Sequence, residues 1–156
     1  MPEYIPSPLE RIARQVKEYE ESNGTVSTTL RDLPVIIMTN IGRKTGGVRK
    51  SPLMRVVDSK NYVLVGSLGG SPKHPLWYHN LKVNPTIKIR DGSNVYCMKA
   101  REVLDPIEKQ RLWKLAVQAF PPYDDCQKRT DRVIPVFLAT PLQQTSLSPS
   151  TKPLLY

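Results

Sequence analysis

The chain has 156 residues, with 23 Lys and Arg against 14 Asp and Glu, for a formal net charge of +9. That length suits one domain with a hydrophobic core of its own. Cys97 and Cys126 form no CxxC pair, which argues against a disulfide scaffold or a zinc site and for a reducing, cytoplasmic setting. Glu10, Arg11, Arg14 and Lys17 interrupt any signal-peptide apolar stretch, and no apolar run approaches the roughly 18 residues of a membrane span.

Residues 7–22 read as an amphipathic helix. Ser7-Pro8 supplies an N-cap and N1 pair, Leu9, Ile12, Ala13, Val16 and Tyr19 recur at helical spacing, and Asn23-Gly24 ends the segment. The apolar face packs on the domain or lies on a membrane surface, and the mixture of Glu and Lys opposite it weakens the second option. Pro34 opens a strand through about Asn40. Residues 52–58 alternate in polarity and face Tyr62-Val63-Leu64-Val65 across Asp58-Ser59-Lys60-Asn61, so residues 52–66 are expected to form a hairpin. Residues 75–81 read as one or two helical turns, ended before Asn84-Pro85. Thr86 to Arg90 and Val95 to Val103 flank Asp91-Gly92, a strong hairpin signal. Asp105-Pro106 starts a helix with Ile107, Leu112, Leu115 and Ala116 as its apolar stripe, and Pro121-Pro122 stops it. Residues 123–130 suggest a short helix, and Val133 to Ala139 a last strand.

Sequential hairpins without a βαβ rhythm predict an α+β fold, an antiparallel sheet or small barrel with flanking helices. The expected organisation is an N-terminal helix and linker over residues 1–32, a barrel domain over 33–140, and a disordered tail rich in Pro, Ser and Thr over 141–156.

Charge is unevenly spread. Residues 43–101 carry twelve basic side chains against Asp58 and Asp91 alone, while the flanking regions are balanced or slightly acidic. Four of those cations, Arg43, Lys44, Arg49 and Lys50, crowd into Gly42–Pro52 between two apolar runs. Like charges on one turn repel, so the turn is a poor device for stability and a good one for holding an anion. Lysine and arginine donate charge-assisted hydrogen bonds to phosphate or carboxylate, and Gly42, Gly46 and Gly47 allow close backbone approach. A second glycine turn, Ser67-Leu68-Gly69-Gly70-Ser71-Pro72-Lys73, reads as a plain loop or as another wall of the same site. Neither a Walker A loop nor a GxGxxG motif occurs, because Arg43 stands where the glycine before the lysine is required. His74 and His79 lack a third ligand at metal spacing, so no metal is expected. Trp77 and Tyr78 suit either a ligand ring or the plugging of a barrel end, and Tyr123 is a candidate proton donor.

GRKTGGVRKSPL, GSLGGSPKHPLWYHNLKVNP and YDDCQKRTDRVIPVFL together resemble the deazaflavin-dependent nitroreductase family, in similar spacing from about Leu33 to Leu138. The resemblance implies a split β-barrel related to oxidoreductases that bind flavin mononucleotide. It also implies the cofactor coenzyme F(420), a reduced 8-hydroxy-5-deazaflavin whose tail carries a phosphodiester and glutamates. On that basis Arg43, Lys44 and Arg49, with Thr45 in the same turn, match positions at the tail. Ser51, Pro52 and Met54 match positions lining the ring. Ser67, Gly69 and Gly70 fall on the next wall, and Leu76, Trp77 and Tyr78 on the one after it. Ser67 and Tyr123 are the candidate catalytic residues. Relatives often carry lysine where Leu68 stands and tyrosines where Phe120 and Cys126 stand, which argues against nitroimidazole reduction.

The expected function is hydride transfer from the reduced deazaflavin to an electron-poor small-molecule acceptor: a quinone, an unsaturated ester or lactone, or a nitro compound. The alternative is a basic nucleic-acid-binding protein, or a peripheral membrane protein without catalysis. The cations are accompanied by few aromatic residues and no nucleic-acid module, so no nucleic-acid partner is expected. A weak membrane-surface contact through residues 7–22 stays open, as does the oligomeric state.

Overall fold

The computed structural model describes residues 2–142, so the expected disordered tail lies, from residue 143 on, outside the described residues. In chain order the elements are α1 (Glu10–Glu21), β1 (Thr29–Leu30), β2 (Leu33–Ile41), β3 (Val48–Met54), β4 (Val57–Asp58), β5 (Asn61–Val65), a 3-10 turn (Leu68–Gly70), α2 (Leu76–Val83), β6 (Thr86–Asp91), β7 (Asn94–Glu102), α3 (Pro106–Ala119), α4 (Pro122–Lys128) and β8 (Val136–Pro141). These strands pair antiparallel in the order β1-β2-β6-β7-β8-β5-β4, with β3 also on β2. Beyond β3, the Val63 amide donates to the Val56 carbonyl at 2.9 Å. Because β3 lies on β2 and runs on into β4, which lies on β5, the two ends of this order meet, and the sheet curls into an antiparallel split β-barrel with flanking helices, the α+β fold expected from sequence.

Strand periodicity divides the interior in two. Val35 to Met38 of β2 are all buried, so this strand is covered on both faces. Ile36 and Met38 point into the barrel with Leu64, Ile87, Ile89, Met98 and Phe137, and Trp77 and Leu81 of α2 plug it. Val35 and Ile37 point outward with Val63, Val65, Val136 and Leu138, and α1, α3 and α4 cover that face through Val16, Tyr19, Leu112, Ala116 and Tyr123. Val16 and Tyr19 carry this packing for α1, while Leu9 is 53% exposed. Tyr19 also donates its hydroxyl to the Val35 carbonyl at 3.0 Å and accepts the Gly92 amide at 2.8 Å.

Four local expectations change. The first helix starts at Glu10 with Leu9 as its N-cap, rather than with Ser7-Pro8. Residues 48–54 pair with 35–41 as one long hairpin closed by the cationic turn, rather than 52–58 pairing with 62–65. Of the expected 52–66 hairpin only the end nearest the turn forms, as the Val57–Tyr62 and Asp58–Asn61 pairs and the Val63-to-Val56 hydrogen bond. The fold has eight strands among the described residues rather than about six, because β1 and β4 are short and carry little alternation. Ile107 is 80% exposed at the start of α3, so the inward stripe is Leu112 and Ala116, with Leu115 partly buried against the same core. Residues 3–5 add to the free edge of β3: the Val48 amide donates to the Glu3 carbonyl at 2.8 Å, and the Ile5 amide to the Val48 carbonyl at 2.9 Å. Ile5 fills the space beside Gly47, where a Cβ would lie 2.3 Å from its Cδ1.

Candidate functional site

The β2–β3 turn is closed by Gly42 donating to the Gly47 carbonyl at 2.8 Å and Gly46 to the Gly42 carbonyl at 2.9 Å. Gly46 sits at φ +73°, in the left-handed region that favours glycine. The Thr45 hydroxyl oxygen accepts the Gly47 amide at 3.1 Å and so stiffens the turn. Arg43 and Lys44 are exposed and Arg49 half-buried. None of the three joins an ion pair among the described residues, whereas Lys50, Arg55, Lys82 and Arg101 are neutralised by Glu20, Asp91, Glu102 and Glu108. Arg43, Lys44 and Arg49 therefore stand together at one turn with their charges outside these ion pairs, the donor set that an anionic ligand tail requires.

Two asparagines anchor the turn. Asn40 and Asn80 are the buried polar side chains of the core, at 1% and 7% exposure. Asn80 Nδ2 donates to Asn40 Oδ1 at 2.8 Å, and Asn80 Oδ1 accepts the Arg43 amide at 2.9 Å. Asn40 Nδ2 reaches the Arg49 carbonyl at 3.5 Å. Sequence reasoning passed over both, since nothing local links positions 40 residues apart.

Antiparallel register sorts the β3 residues between the faces, because directly opposed residues share a face. Arg49 and Ser51 oppose Asn40 and Met38 and so lie toward the barrel interior and α2; Pro52 and Met54 oppose Ile37 and Val35 and lie toward the helices. Met54 belongs to the same buried cluster as Phe120, Tyr123 and Cys126. Trp77 belongs to the other cluster, packed edge-on against Phe137 at 5.7 Å, while Leu76 is 72% exposed at the start of α2. The residues expected to line one ring are thus distributed over the two sides of β3 and the start of α2.

The second glycine turn is a built wall. Leu68, Gly69 and Gly70 all have positive φ, at 42°, 64° and 83°. Arg132 holds this strained segment: Nε donates to the Ser71 carbonyl at 2.8 Å, Nη1 to Gly66 at 3.0 Å and Nη2 to Ser67 at 2.6 Å. Nη1 also lies 3.0 Å from His74 Nδ1. A guanidinium only donates, so that nitrogen accepts and the neutral imidazole carries its proton on Nε2. Burial, and next the Arg132 charge, hold His74 below the usual histidine pKa, and its ring stacks on Tyr78 at 4.2 Å. A Cβ on Gly70 would meet the Cys126 carbonyl at 2.8 Å and Arg129 Cβ at 2.9 Å, so α4 rests directly on the turn. Tyr123, in the first turn of α4, is 5% exposed and stacks edge-on with Phe120 at 5.0 Å. Burial, and to a lesser degree Cys126, raise its phenol pKa, so the hydroxyl keeps its proton. Among the described residues no group of three His, Cys, Asp or Glu could hold a metal, and no helix is long and apolar enough to cross a membrane.

Comparison with known proteins places this geometry among relatives. The family model described as F(420)H(2)-dependent quinone reductase matches residues 11–141. The F(420)H(2)-dependent quinone reductase Rv1261c of Mycobacterium tuberculosis (strain ATCC 25618 / H37Rv) is 34% identical over 126 residues, covering 78% of this chain and 84% of that protein. A solved F(420)-H(2) dependent reductase, FDR-A, is 48% identical with a TM-score of 0.64, over 68% of this chain and 93% of its own. A solved domain-swapped dimer is 43% identical with a TM-score of 0.67, over 85% of this chain and 99% of its own.

Proposed function

We propose the following for this chain, which belongs to the F(420)H(2)-dependent quinone reductase family and is thus a deazaflavin-dependent oxidoreductase with coenzyme F(420) as its cofactor: it reduces a quinone, with activated alkenes of unsaturated esters or lactones as secondary acceptors. The observation that carries this reading is the turn with Arg43, Lys44 and Arg49 outside every ion pair among the described residues. Such a turn fits a tail of phosphodiester and carboxylates, which needs several charge-assisted donors close together. When bound, the reduced cofactor supplies a hydride from C5 to the acceptor.

The chain's own residues bind, orient and protonate. Arg43, Lys44 and Arg49, with Thr45 beside them, hold the tail. Ser51, Pro52 and Met54 border the ring along β3, partly through backbone groups, since their side chains fall on its two faces. Ser67, Gly69 and Gly70 form the next wall, and Leu76, Trp77 and Tyr78 the last, with Trp77 acting from within the barrel by supporting its neighbours. Tyr123 donates a hydrogen bond to the acceptor oxygen as negative charge develops there, and Ser67 positions the acceptor. The raised pKa of Tyr123 supports this role, since the phenol stays a donor at any working pH. Nitroimidazoles are poor acceptors in this reading, because Phe120 and Cys126 offer no hydroxyl.

Fluorescence titration with coenzyme F(420), with flavin mononucleotide as the control, tests the assignment. The expected dissociation constant for F(420) is on the order of micromolar, about −8 kcal/mol, and clearly tighter than for the flavin. Equal or tighter flavin binding overturns it.

A further inference from the structure

We infer that Asn80, held by Asn40, is a positioning residue that presets the cationic turn for the anionic tail of the cofactor. The inference rests on the cofactor reading above and adds a residue that touches neither ring nor tail. A buried amide pair in an apolar core loses its hydration, and hydrogen bonds only roughly restore it, so such a pair is a poor source of stability. What this pair does is geometric. One end of Asn80 fixes the Arg43 backbone at 2.9 Å, and the other is fixed by Asn40 at 2.8 Å. Asn40 in turn reaches the Arg49 carbonyl at 3.5 Å and the Met38 sulfur at 3.3 Å. Arg43 and Arg49, two of the turn's three cations outside the ion pairs, thus have their main chains tied to a single amide pair.

The same pair ties the turn to α2, which carries Leu76, Trp77 and Tyr78. Asn80 lies one helical turn beyond Leu76, on a face that is buried with Trp77 and Leu81. Asn80 therefore links the tail-holding cations directly to the wall at the start of α2, beside the apolar packing of Trp77 and Leu81 on β2. Without the bond to Asn80, the Arg43 amide is free to face water, the exposed Arg43 and Lys44 sample more orientations, and ordering them becomes part of the binding cost. That cost falls only on a ligand with a tail.

Binding is compared by fluorescence titration for coenzyme F(420) and for its tail-less deazaflavin riboside, in wild type and in Asn80→Ala. The ratio of the two affinities is expected to fall by about tenfold, equivalent to about 1.4 kcal/mol, while affinity for the tail-less riboside stays within about twofold. Asn40→Ser keeps the bond to Arg43 but loosens its anchor. The same selective loss, smaller in size, is expected from it, and this variant decides the matter if Asn80→Ala does not melt cooperatively. A preserved ratio, or equal losses for both ligands, overturns the positioning role. A wild type indifferent to the tail overturns both this inference and the cofactor reading beneath it.

Discussion

Arg132→Lys tests whether the second wall is held by fork geometry or by charge. The guanidinium reaches three carbonyls, of Gly66, Ser67 and Ser71, at 2.6 to 3.0 Å, and His74 Nδ1 at 3.0 Å. A lysine ammonium keeps the charge but is a single point, and it cannot span acceptors spread over residues 66 to 71. At least two of the four contacts are lost. A hydrogen bond to a charged group contributes about 1.5–3 kcal/mol, and the half-buried setting lets water replace part of that, so the lower figure applies and the loss is about 3 kcal/mol. For a chain of this size that corresponds to roughly 6–12 °C in Tm. Thermal unfolding followed by circular dichroism reads it directly. Arg132→Met should cost only slightly more, since most of the contribution lies in the fork. A Tm within about 2 °C of wild type for Arg132→Lys would refute the reasoning and mean that Leu68 to Gly70 hold their left-handed backbone without the clamp.

Other outcomes follow from the same geometry. Lys44→Ala should weaken coenzyme F(420) by about 1.5–3 kcal/mol, and by less at high salt, where screening has already reduced the contact; titrations at two ionic strengths check it. Tyr123→Phe should lower turnover roughly ten- to a thousandfold and leave cofactor affinity unchanged, while unchanged steady-state turnover would make Tyr123 a packing residue of α4. His74 has a folded pKa below its unfolded value of about 6.5, so the unfolded state takes up its proton first as pH drops. Stability should therefore be intact above that pH, decline below it, and level off beneath the folded pKa. His74→Gln should flatten this part of the pH–Tm curve relative to wild type.

Local chemistry announces much of this molecule. Asp91-Gly92 marks the β6–β7 hairpin, with Gly92 at φ +62°, and Asp105-Pro106 marks α3, where the Asp105 side chain accepts the Glu108 amide. The cationic turn stands out by composition alone. What escapes is long-range. Residues 48–51 look like turn because Arg49, Lys50 and Ser51 are polar, yet they form a strand in register with β2. Proximity in sequence favours a 52–66 hairpin, but 48–54 pairs over seven residues with 35–41, and β4 keeps only a short pairing with β5. Asn80 and Arg132 act on segments 37 and 61–66 residues away, and no periodicity or turn rule reports such contacts. Tyr123 stands out in the sequence as the tyrosine after the double proline, whereas its burial in one cluster with Phe120 and Met54 depends on how α4 docks.

The contact between Ile5 and Gly47 has an evolutionary reading. The branched side chain occupies the place of the missing Cβ, so the two positions form a single inherited unit rather than two independent choices. Among descendants of this chain, alanine at position 47 should appear only alongside a smaller residue at position 5, and a bulky residue at 5 should keep glycine at 47. Drift at one site is permitted only with its counterpart, and the pair would register as a coupled column in a family record.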